Sequence, residues 1–334
     1  MALRAVNTIS LCAGGGGLDL GIELAMPSAR AVCYVEREAF ACAHLVAAMQ
    51  QGFLADAPLW IDVTTFNGRP WRGLVDGLIG GIPCQPHSLA GRRLGADDER
   101  DLWSDARRII VQCGAWFAFI ENVGGILTSG GAERLHRDLS RLGFTSEVGL
   151  FTAAEVGASH RRERLFWLAV AAPDLARSPQ PRSQRSDPRP QCAAAERVRG
   201  DVEHTPRQRQ REGRPEPEFR RWRDAAASAS PAMGSAHGSF ERTAIEGSSG
   251  DVGLFPPGPA DLDRWRTILA RAPQLEPAIC RMADGMASRV DQLRMLGNGV
   301  VPLEAAYAFR TLTTRLAARG STAADELIRM METT

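Results

Sequence analysis

Five short apolar segments alternate with segments of helical periodicity over the first half of the chain. The apolar segments are Thr8–Ala13, Ala31–Glu36, Gly77–Gly81, Phe117–Asn122 and Leu165–Ala171. Between them, Glu38–Met49 and Trp103–Cys113 space their apolar side chains as helices that cover a sheet do. Strands that alternate with helices form a parallel sheet covered on both faces. We therefore predict an α/β fold with a doubly wound, mainly parallel sheet.

The composition changes after residue 172. The segment Ala176–Gln191 is rich in proline and arginine and lacks apolar periodicity, which is typical of a solvated linker. Arginines between residues 207 and 223 are interspersed with Phe219 and Trp222, so they could instead face a phosphate backbone. Both interpretations stay open. Helical spacing returns at Asp261–Ala270 and Pro302–Arg319.

Net charge and cysteine content restrict the class of protein. The 40 basic residues, all arginine, nearly balance 39 acidic ones, so the overall charge does not favour nucleic acid. No apolar run approaches the roughly 18 residues of a membrane span, and the N-terminus does not resemble a signal peptide. The seven cysteines include no C-x-x-C pair. We expect a cytoplasmic protein without a bound metal and without membrane attachment.

A glycine-rich loop, Gly14–Gly17, follows the first predicted strand and lets the backbone approach a ligand closely. Its spacing matches neither the dinucleotide fingerprint nor the phosphate-binding loop of nucleotide hydrolases. A nucleoside cofactor without phosphates fits better. Glu36 ends the second predicted strand, where a carboxylate can accept hydrogen bonds from both ribose hydroxyls, and Asp62 follows near the position of an adenine amino group.

One cysteine lies in an unusual sequence context. Pro83 fixes its own φ and holds Ile82 extended, at the end of an apolar strand that closes with two glycines. Gln85 and Pro86 follow and do not suit a packed core. Although most cysteines of this kind are buried and structural, we predict that Cys84 is exposed at the top of the sheet.

Three further segments carry polar residues at strand ends or turns. Glu121 and Asn122 end a predicted strand, and a Gly-Asn-Gly turn around Asn298 lies near the far end of the chain. Arg162 and Arg164 lie two residues apart and so share one face of a strand. Surface salt bridges are the alternative explanation for these two arginines.

Five segments in this order resemble the cytosine-C5 DNA methyltransferase family. They are SLCAGGGGLDLG, GGIPCQPHS, FIENV, HRRERLFWLA and LGNGVVP, and the resemblance covers residues 1–171 and 280–318. It implies a Rossmann-like S-adenosylmethionine-dependent methyltransferase fold for a catalytic domain of residues 1–172 and 286–334. Residues 173–285 would form a smaller, irregular, partly flexible target-recognition domain.

The resemblance also implies a mechanism. Cys84 would attack carbon 6 of a cytosine flipped out of the helix, which makes carbon 5 nucleophilic toward a methyl group. Glu121 would hydrogen-bond ring nitrogen 3 and the exocyclic amine, while Arg164 would contact the base carbonyl with support from Arg162. The segment Pro86–Arg100 would close over the site as a lid.

The implied cofactor is S-adenosyl-L-methionine, with S-adenosyl-L-homocysteine as its product. The residues expected to line its site are Leu11, Gly14, Gly16, Glu36, Asp62 and Asn298. The sequence departs from the family at Leu11, where an aromatic residue is frequent, and at His160, where glutamine is usual.

The implied substrate is double-stranded DNA, and we expect a monomer of bacterial or phage origin. The resemblance leaves open whether a cognate restriction endonuclease is a partner or the chain acts alone. The Pro-Pro tetrad of enzymes that methylate exocyclic amines is absent from the sequence. Two alternatives stay open, namely a cytosine-C5 enzyme that acts on RNA and a catalytically impaired DNA-binding relative.

Overall fold

Seven β-strands form a single sheet in the order β3-β2-β1-β4-β5-β7-β6. The structure, a computed structural model, describes residues 4–83, 102–171, 255, 261–271 and 297–332. The strands in this part of the chain are β1 (Val6–Leu11), β2 (Ala29–Val35), β3 (Leu59–Trp60), β4 (Gly77–Gly81), β5 (Phe117–Asn122), β6 (Phe144–Thr152) and β7 (Glu163–Ala171). The helices are α1 (Gly17–Ala25), α2 (Ala39–Gln50), α3 (Trp103–Cys113), α4 (Gly131–Arg141), α5 (Leu262–Arg271), α6 (Pro302–Ala318) and α7 (Thr322–Glu332).

The strands are parallel except at one edge of the sheet. Strands β1 to β5 pair in parallel, and β7 lies antiparallel between β5 and β6. The strand order reverses direction between β1 and β4, and ligands bind at the carboxyl ends of strands beside such a point. This topology confirms the prediction of a doubly wound, mainly parallel α/β sheet.

Helices cover both faces of the sheet. On one face, α3 and α4 bury Ile109 and Leu139 against the strands. On the other face, α1, α6 and α7 bury Ile22, Phe309 and Leu327. Each helix thus removes one apolar side from water, which is the main force that holds such layers together.

Two glycines allow α1 to lie unusually close to the start of α6. A Cβ atom at Gly17 would lie 2.3 Å from the carbonyl oxygen of Val300. A Cβ atom at Gly21 would lie 2.6 Å from the Cβ of Ala305. Both distances are shorter than atomic contact allows, so only glycine permits this packing. The contact brings the beginning of α6 next to the glycine-rich loop.

The predicted elements agree with the structure most closely at the centre of the sheet. Strands β4 and β5 and helix α3 have the predicted bounds. Strand β1 begins and ends two residues before the predicted strand. It ends at Leu11 because Cys12 has a φ of 50° and leaves the strand conformation. Elements β3, β6, α1, α4 and α7 were not among the predicted ones.

The predicted division into a catalytic and a target-recognition domain stays a prediction. Of residues 173–285, the structure describes only residue 255 and residues 261–271, which include α5. No helix within the described ranges combines the length and the apolar character needed to cross a membrane.

Candidate functional site

The predicted site residues that the structure describes lie near one edge of the sheet, namely the edge formed by the carboxyl ends of its parallel strands. The parallel strands β1, β2 and β5 end at this edge with Leu11, Val35 and Asn122. Because β7 runs antiparallel to β5, its first residues lie beside the last residues of β5, and Leu165 pairs with Asn122. Side chains from four strands therefore converge at this edge.

The glycine-rich loop adopts left-handed backbone conformations. The φ angles are 55° at Gly14 and 76° at Gly16. Among the described residues, nothing lies within 4 Å of a Cβ atom at Gly14, so this part of the chain leaves the space over Gly14 open. A Cβ atom at Gly16 would lie 2.6 Å from Cδ1 of Leu54. Gly14 therefore leaves room for a ligand, whereas Gly16 is required for packing within the protein.

Glu36 is buried directly after β2, with its carboxylate bound to the backbone. One oxygen accepts a hydrogen bond from the amide of Gly14 at 2.8 Å. The other accepts hydrogen bonds from the amides of Arg37 and Glu38, both at 2.8 Å. A carboxylate offers about four acceptor positions, so capacity remains for a hydroxyl donor. The side chain also fixes the glycine-rich loop against the end of β2.

Leu11 and Asp62 are less available for contact with a ligand than Gly14 and Glu36 are. Leu11 is only 1% exposed and belongs to the hydrophobic core, so its side chain faces protein and a ligand could meet only its backbone. The next residue, Cys12, is half-buried. The Oδ1 atom of Asp62 accepts hydrogen bonds from the amide and the hydroxyl of Thr64 at 2.9 and 2.7 Å.

The carboxyl group of Glu121 lies close to Gly81 on the neighbouring strand. The two residues pair across β4 and β5, and a Cβ atom at Gly81 would lie 3.3 Å from Oε2 of Glu121. Asn122 donates a hydrogen bond to the carbonyl oxygen of Ile82 at 3.1 Å. The end of β5 is thus tied to the segment that leaves β4.

Glu121 and Arg164 form a largely buried ion pair. Nε of Arg164 lies 3.0 Å from Oε1 of Glu121, and the two side chains are 17% and 10% exposed. Arg164 also donates a hydrogen bond to the carbonyl oxygen of Glu163 at 2.9 Å. Burial raises the pKa of Glu121 to about 7, although Arg164 and Arg162 act in the opposite direction. A carboxyl group with this pKa holds its proton in an appreciable fraction of molecules at neutral pH.

Arg162 connects the start of β7 to the turn around Asn298. It has a φ of 31°, and its Nη2 donates hydrogen bonds to the carbonyl oxygens of Gly297, at 2.8 Å, and Gly299. Asn298 itself is exposed. The structure therefore brings together the arginine segment and the Gly-Asn-Gly turn, which the sequence separates widely.

Glu304 is a buried acid that is not among the predicted site residues. It lies in the first turn of α6 and is 0% exposed. Burial raises its pKa to about 8; Arg164 and Arg162 lower the pKa, whereas Glu121 and Glu155 raise it further. An acid in the first turn of a helix is common because it interacts favourably with the helix dipole. The local sequence therefore does not distinguish this buried acid from an ordinary acid at the start of a helix.

Cys84 and the predicted lid Pro86–Arg100 lie outside the described residues. Pro83 is the last described residue before this gap. Within the described ranges, no three side chains of histidine, cysteine, aspartate or glutamate gather as a metal site would require.

A doubly wound α/β fold, with a glycine-rich loop and a buried acid–arginine pair at the carboxyl ends of its parallel strands, defines the general class of this protein. The profile of the C-5 cytosine-specific DNA methylase family matches residues 6–226, which is more than half of the chain. The chain therefore belongs to this family.

Characterised relatives match about half of the chain. It is 34% identical over 171 residues to the type II methyltransferase M.NgoMIV of Neisseria gonorrhoeae, covering 49% of this chain and 51% of that protein. It is 30% identical over 174 residues to the type II methyltransferase M.NaeI of Lentzea aerocolonigenes, covering 50% of this chain and 40% of that protein. The chain thus spans about half the length, or less, of the curated relatives it matches.

Solved structures give weaker similarities. The DNMT2 structure from Spodoptera frugiperda has a TM-score of 0.42 and 19% identity, covering 55% of this chain and 54% of that one. The Dnmt2 methyltransferase of S. pombe has a TM-score of 0.42 and 20% identity, covering 50% and 51%.

Proposed function

We propose that this protein methylates carbon 5 of cytosine in double-stranded DNA. The observation that carries the proposal is the buried ion pair between Glu121 and Arg164, in a chain of the C-5 cytosine-specific DNA methylase family. A protonated carboxyl group and a guanidinium group side by side match two acceptors on one edge of cytosine, ring nitrogen 3 and the carbonyl oxygen.

In the proposed reaction, Glu121 stabilises the protonated ring. Protonation at ring nitrogen 3 withdraws electrons and makes carbon 6 more electrophilic. The burial that raises the pKa of Glu121 to about 7 supports this role, because a carboxyl group with an ordinary pKa would carry almost no proton at neutral pH. Arg164 keeps the carboxyl oriented and contacts the base carbonyl.

Cys84 is the proposed nucleophile. Its thiolate adds to carbon 6, and the electron pair of the ring double bond becomes available at carbon 5. Carbon 5 then takes up the methyl group. A base removes the proton from carbon 5, and the electrons of that bond restore the double bond and expel the thiolate. The cytosine must leave the helix stack to reach this site, and we propose that Pro86–Arg100 closes over it.

The residues beside the glycine-rich loop suit a nucleoside cofactor. The open space over Gly14 can admit a ligand close to the backbone, and Glu36 retains acceptor capacity for ribose hydroxyls. We propose that Asp62, Asn298 and the backbone at Leu11 complete the site. The cofactor is S-adenosyl-L-methionine, which supplies an electrophilic methyl group and leaves as S-adenosyl-L-homocysteine.

Recognition of the DNA sequence is assigned to residues 173–285. The type II methyltransferase relatives support a bacterial or phage modification enzyme, which acts with a cognate restriction endonuclease or alone. A monomer that reads duplex DNA is the proposed active form.

The decisive experiment traps the covalent adduct. Duplex DNA, single-stranded DNA and RNA that contain 5-fluorocytosine are incubated with the protein and S-adenosyl-L-methionine, then separated by denaturing electrophoresis. Fluorine cannot leave carbon 5 as a cation, so the adduct persists. We expect a shifted band with duplex DNA, and its absence from active protein would contradict attack by a thiolate.

Two cysteine variants assign the nucleophile. Cys84→Ser should abolish both the adduct and methyl transfer while leaving binding of S-adenosyl-L-homocysteine largely intact. Cys113→Ser is the matched control, because Cys113 is buried in α3, where its Sγ lies 3.6 Å from the carbonyl oxygen of Ile110 and a hydroxyl can make the same contact. An active Cys84→Ser variant would refute the mechanism.

A further inference from the structure

The guanidinium group of Arg108, on α3, binds three backbone carbonyl oxygens of the segment that follows β3. Its Nη1 donates to the carbonyl oxygen of Phe66 at 2.6 Å, and its Nη2 donates to those of Val63 at 2.9 Å and Thr64 at 3.2 Å. These partners lie 42 to 45 positions before Arg108 in the chain. All three acceptors belong to the Asp62 turn (residues 62–66). The proposed reaction gives Arg108 no role.

Two other side chains of α3 hold Arg108 in this orientation. Asp105 accepts hydrogen bonds from its Nε at 3.3 Å and from its Nη2 at 2.9 Å. Gln112 accepts a hydrogen bond from its Nη1 at 3.3 Å and another from the backbone amide of Gly68 at 2.8 Å. A guanidinium group carries five N–H donors in a rigid plane, so it can bind side chains of the helix and carbonyl oxygens of the turn at the same time.

Asp62 keeps one carboxylate oxygen for a ligand. Its Oδ1 accepts hydrogen bonds from the amide and the hydroxyl of Thr64, whereas Oδ2 receives none from a described residue. The side chain is half-buried, so a ligand can reach it. Arg108 binds the carbonyl oxygen of Thr64, the residue whose amide and hydroxyl orient this carboxylate.

Packing and hydrogen bonds hold different parts of the Asp62 turn. The side chains of Val63 and Phe66 are buried in the core, whereas Thr64 is exposed. Packing therefore fixes the two apolar positions, and the hydrogen bonds from Arg108 fix the polar part between them. A turn held from both sides keeps its carboxylate in one orientation, which reduces the cost of ordering it when a ligand binds.

We propose that Arg108 is a positioning residue for the cofactor: it fixes the Asp62 turn so that Oδ2 of Asp62 accepts a hydrogen bond from the adenine amino group. The inference rests on the proposed function, in which Asp62 belongs to the site for S-adenosyl-L-methionine. Arg108 acts through Thr64 and does not itself touch the cofactor.

The first test measures how well the protein distinguishes adenine. Titration calorimetry gives the affinities for S-adenosyl-L-homocysteine and for S-inosyl-L-homocysteine, whose base carries an oxygen in place of the amino group. The wild type should prefer the adenine compound, because an oxygen cannot donate to Asp62. Arg108→Met removes the guanidinium group but keeps an unbranched side chain. It should weaken binding of S-adenosyl-L-homocysteine about tenfold and bring the two affinities together.

Arg72→Met is the matched control. Arg72 also joins the segment after β3 to α3, because it donates hydrogen bonds to the carbonyl oxygens of Val111 at 2.7 Å and Gln112 at 3.3 Å. Neither contact involves the Asp62 turn, so this variant should keep the wild-type preference for adenine. An unchanged preference in Arg108→Met, or an equal loss in both variants, would overturn the proposal.

A double-mutant cycle tests whether Arg108 acts through Asp62. Asp62→Asn keeps an oxygen for Thr64 but replaces the free oxygen by an amide nitrogen, which cannot accept a hydrogen bond. Arg108→Met should therefore weaken binding of S-adenosyl-L-homocysteine much less in the Asp62→Asn background than in the wild type. Two losses of affinity that simply add would contradict the proposed connection.

Arg108→Lys replaces Arg108→Met in both tests if the methionine variant does not fold. An ammonium group cannot reproduce the planar set of donors, so wild-type preference for adenine in Arg108→Lys would then overturn the proposal. These measurements need no DNA. The expected preferences without methylation of cytosine would support the role of Arg108 and refute only the proposed reaction, whereas a wild type without affinity for S-adenosyl-L-homocysteine would overturn both.

Discussion

Nη2 of Arg162 donates a hydrogen bond to the carbonyl oxygen of Gly297 at 2.8 Å, across 135 positions of sequence. The same nitrogen donates to the carbonyl oxygen of Gly299, so a single guanidinium group holds both sides of Asn298. Two segments with proposed roles, one near the base and one near the cofactor, therefore share a structural support. A change at Arg162 should affect both.

Replacement of Arg162 by alanine should weaken both stability and cofactor binding. Loss of its hydrogen bonds should lower the free energy of unfolding by about 1–2 kcal/mol and reduce the affinity for S-adenosyl-L-homocysteine. Denaturant unfolding and titration calorimetry measure these effects. Arg161→Ala is the control, because that side chain is 79% exposed and lies 3.6 Å from Glu163. Equal behaviour of the two variants would show that the link to the turn is unimportant.

Activity should depend on the protonation of Glu121. Because burial raises its pKa to about 7, kcat/KM for duplex DNA should fall as pH rises through about 7. Glu121→Gln should lower turnover by about 10²-fold or more, since an amide is a poor proton donor, and should flatten this alkaline limb. Cofactor affinity should stay near that of the wild type. A steep alkaline limb that persists in Glu121→Gln would assign the titration to another group.

The centre of the sheet was predictable because its strands have a simple pattern. Strand β5 is buried along its whole length, and its apolar run ends in two polar residues that the structure places at the sheet edge. Strand β6 was missed because Thr145, Glu147 and Gly149 interrupt its apolar pattern. Arg319 compensates the buried charge of Glu147, and this contact between distant residues leaves no trace in the local sequence.

The candidate site was predictable where residues lie at strand ends and not where tertiary contacts position them. Glu36 and Glu121 end or follow strands, and parallel topology brings such positions to one edge. Glu304 could not be identified, because its burial depends on how α6 crosses the sheet. The close approach of Gly17 to Val300 was equally hidden, because four consecutive glycines look alike in the sequence.

A methyl group at Gly17 should disturb the contact between α1 and α6. Its Cβ would lie 2.3 Å from the carbonyl oxygen of Val300, so Gly17→Ala must push the helices apart. We expect a loss of about 1–3 kcal/mol in the free energy of unfolding, together with weaker cofactor binding. In the control Gly124→Ala, the new methyl group would meet Leu150 at 3.4 Å, an ordinary contact. Similar stability of the two variants would contradict the packing described above.

The carboxylate of Glu36 should be needed for cofactor affinity more than for folding. In Glu36→Gln, one of the two carboxylate oxygens becomes an amide nitrogen. This nitrogen cannot accept a hydrogen bond, whether from the amide of Gly14 or from the amides of Arg37 and Glu38. The glycine-rich loop should lose its attachment to the end of β2, and the ribose hydroxyls should lose an acceptor. Loss of one charge-assisted hydrogen bond corresponds to about a tenfold to hundredfold weaker binding of S-adenosyl-L-homocysteine, measured by titration calorimetry.

Asp56→Asn is the matched control, because it neutralises an exposed acid in the loop before β3. Its affinity for S-adenosyl-L-homocysteine should equal that of the wild type. If Glu36→Gln also bound with wild-type affinity, the open space over Gly14 would not be the cofactor site. If both variants bound weakly, the effect would come from the overall loss of negative charge and not from the hydrogen bonds of Glu36.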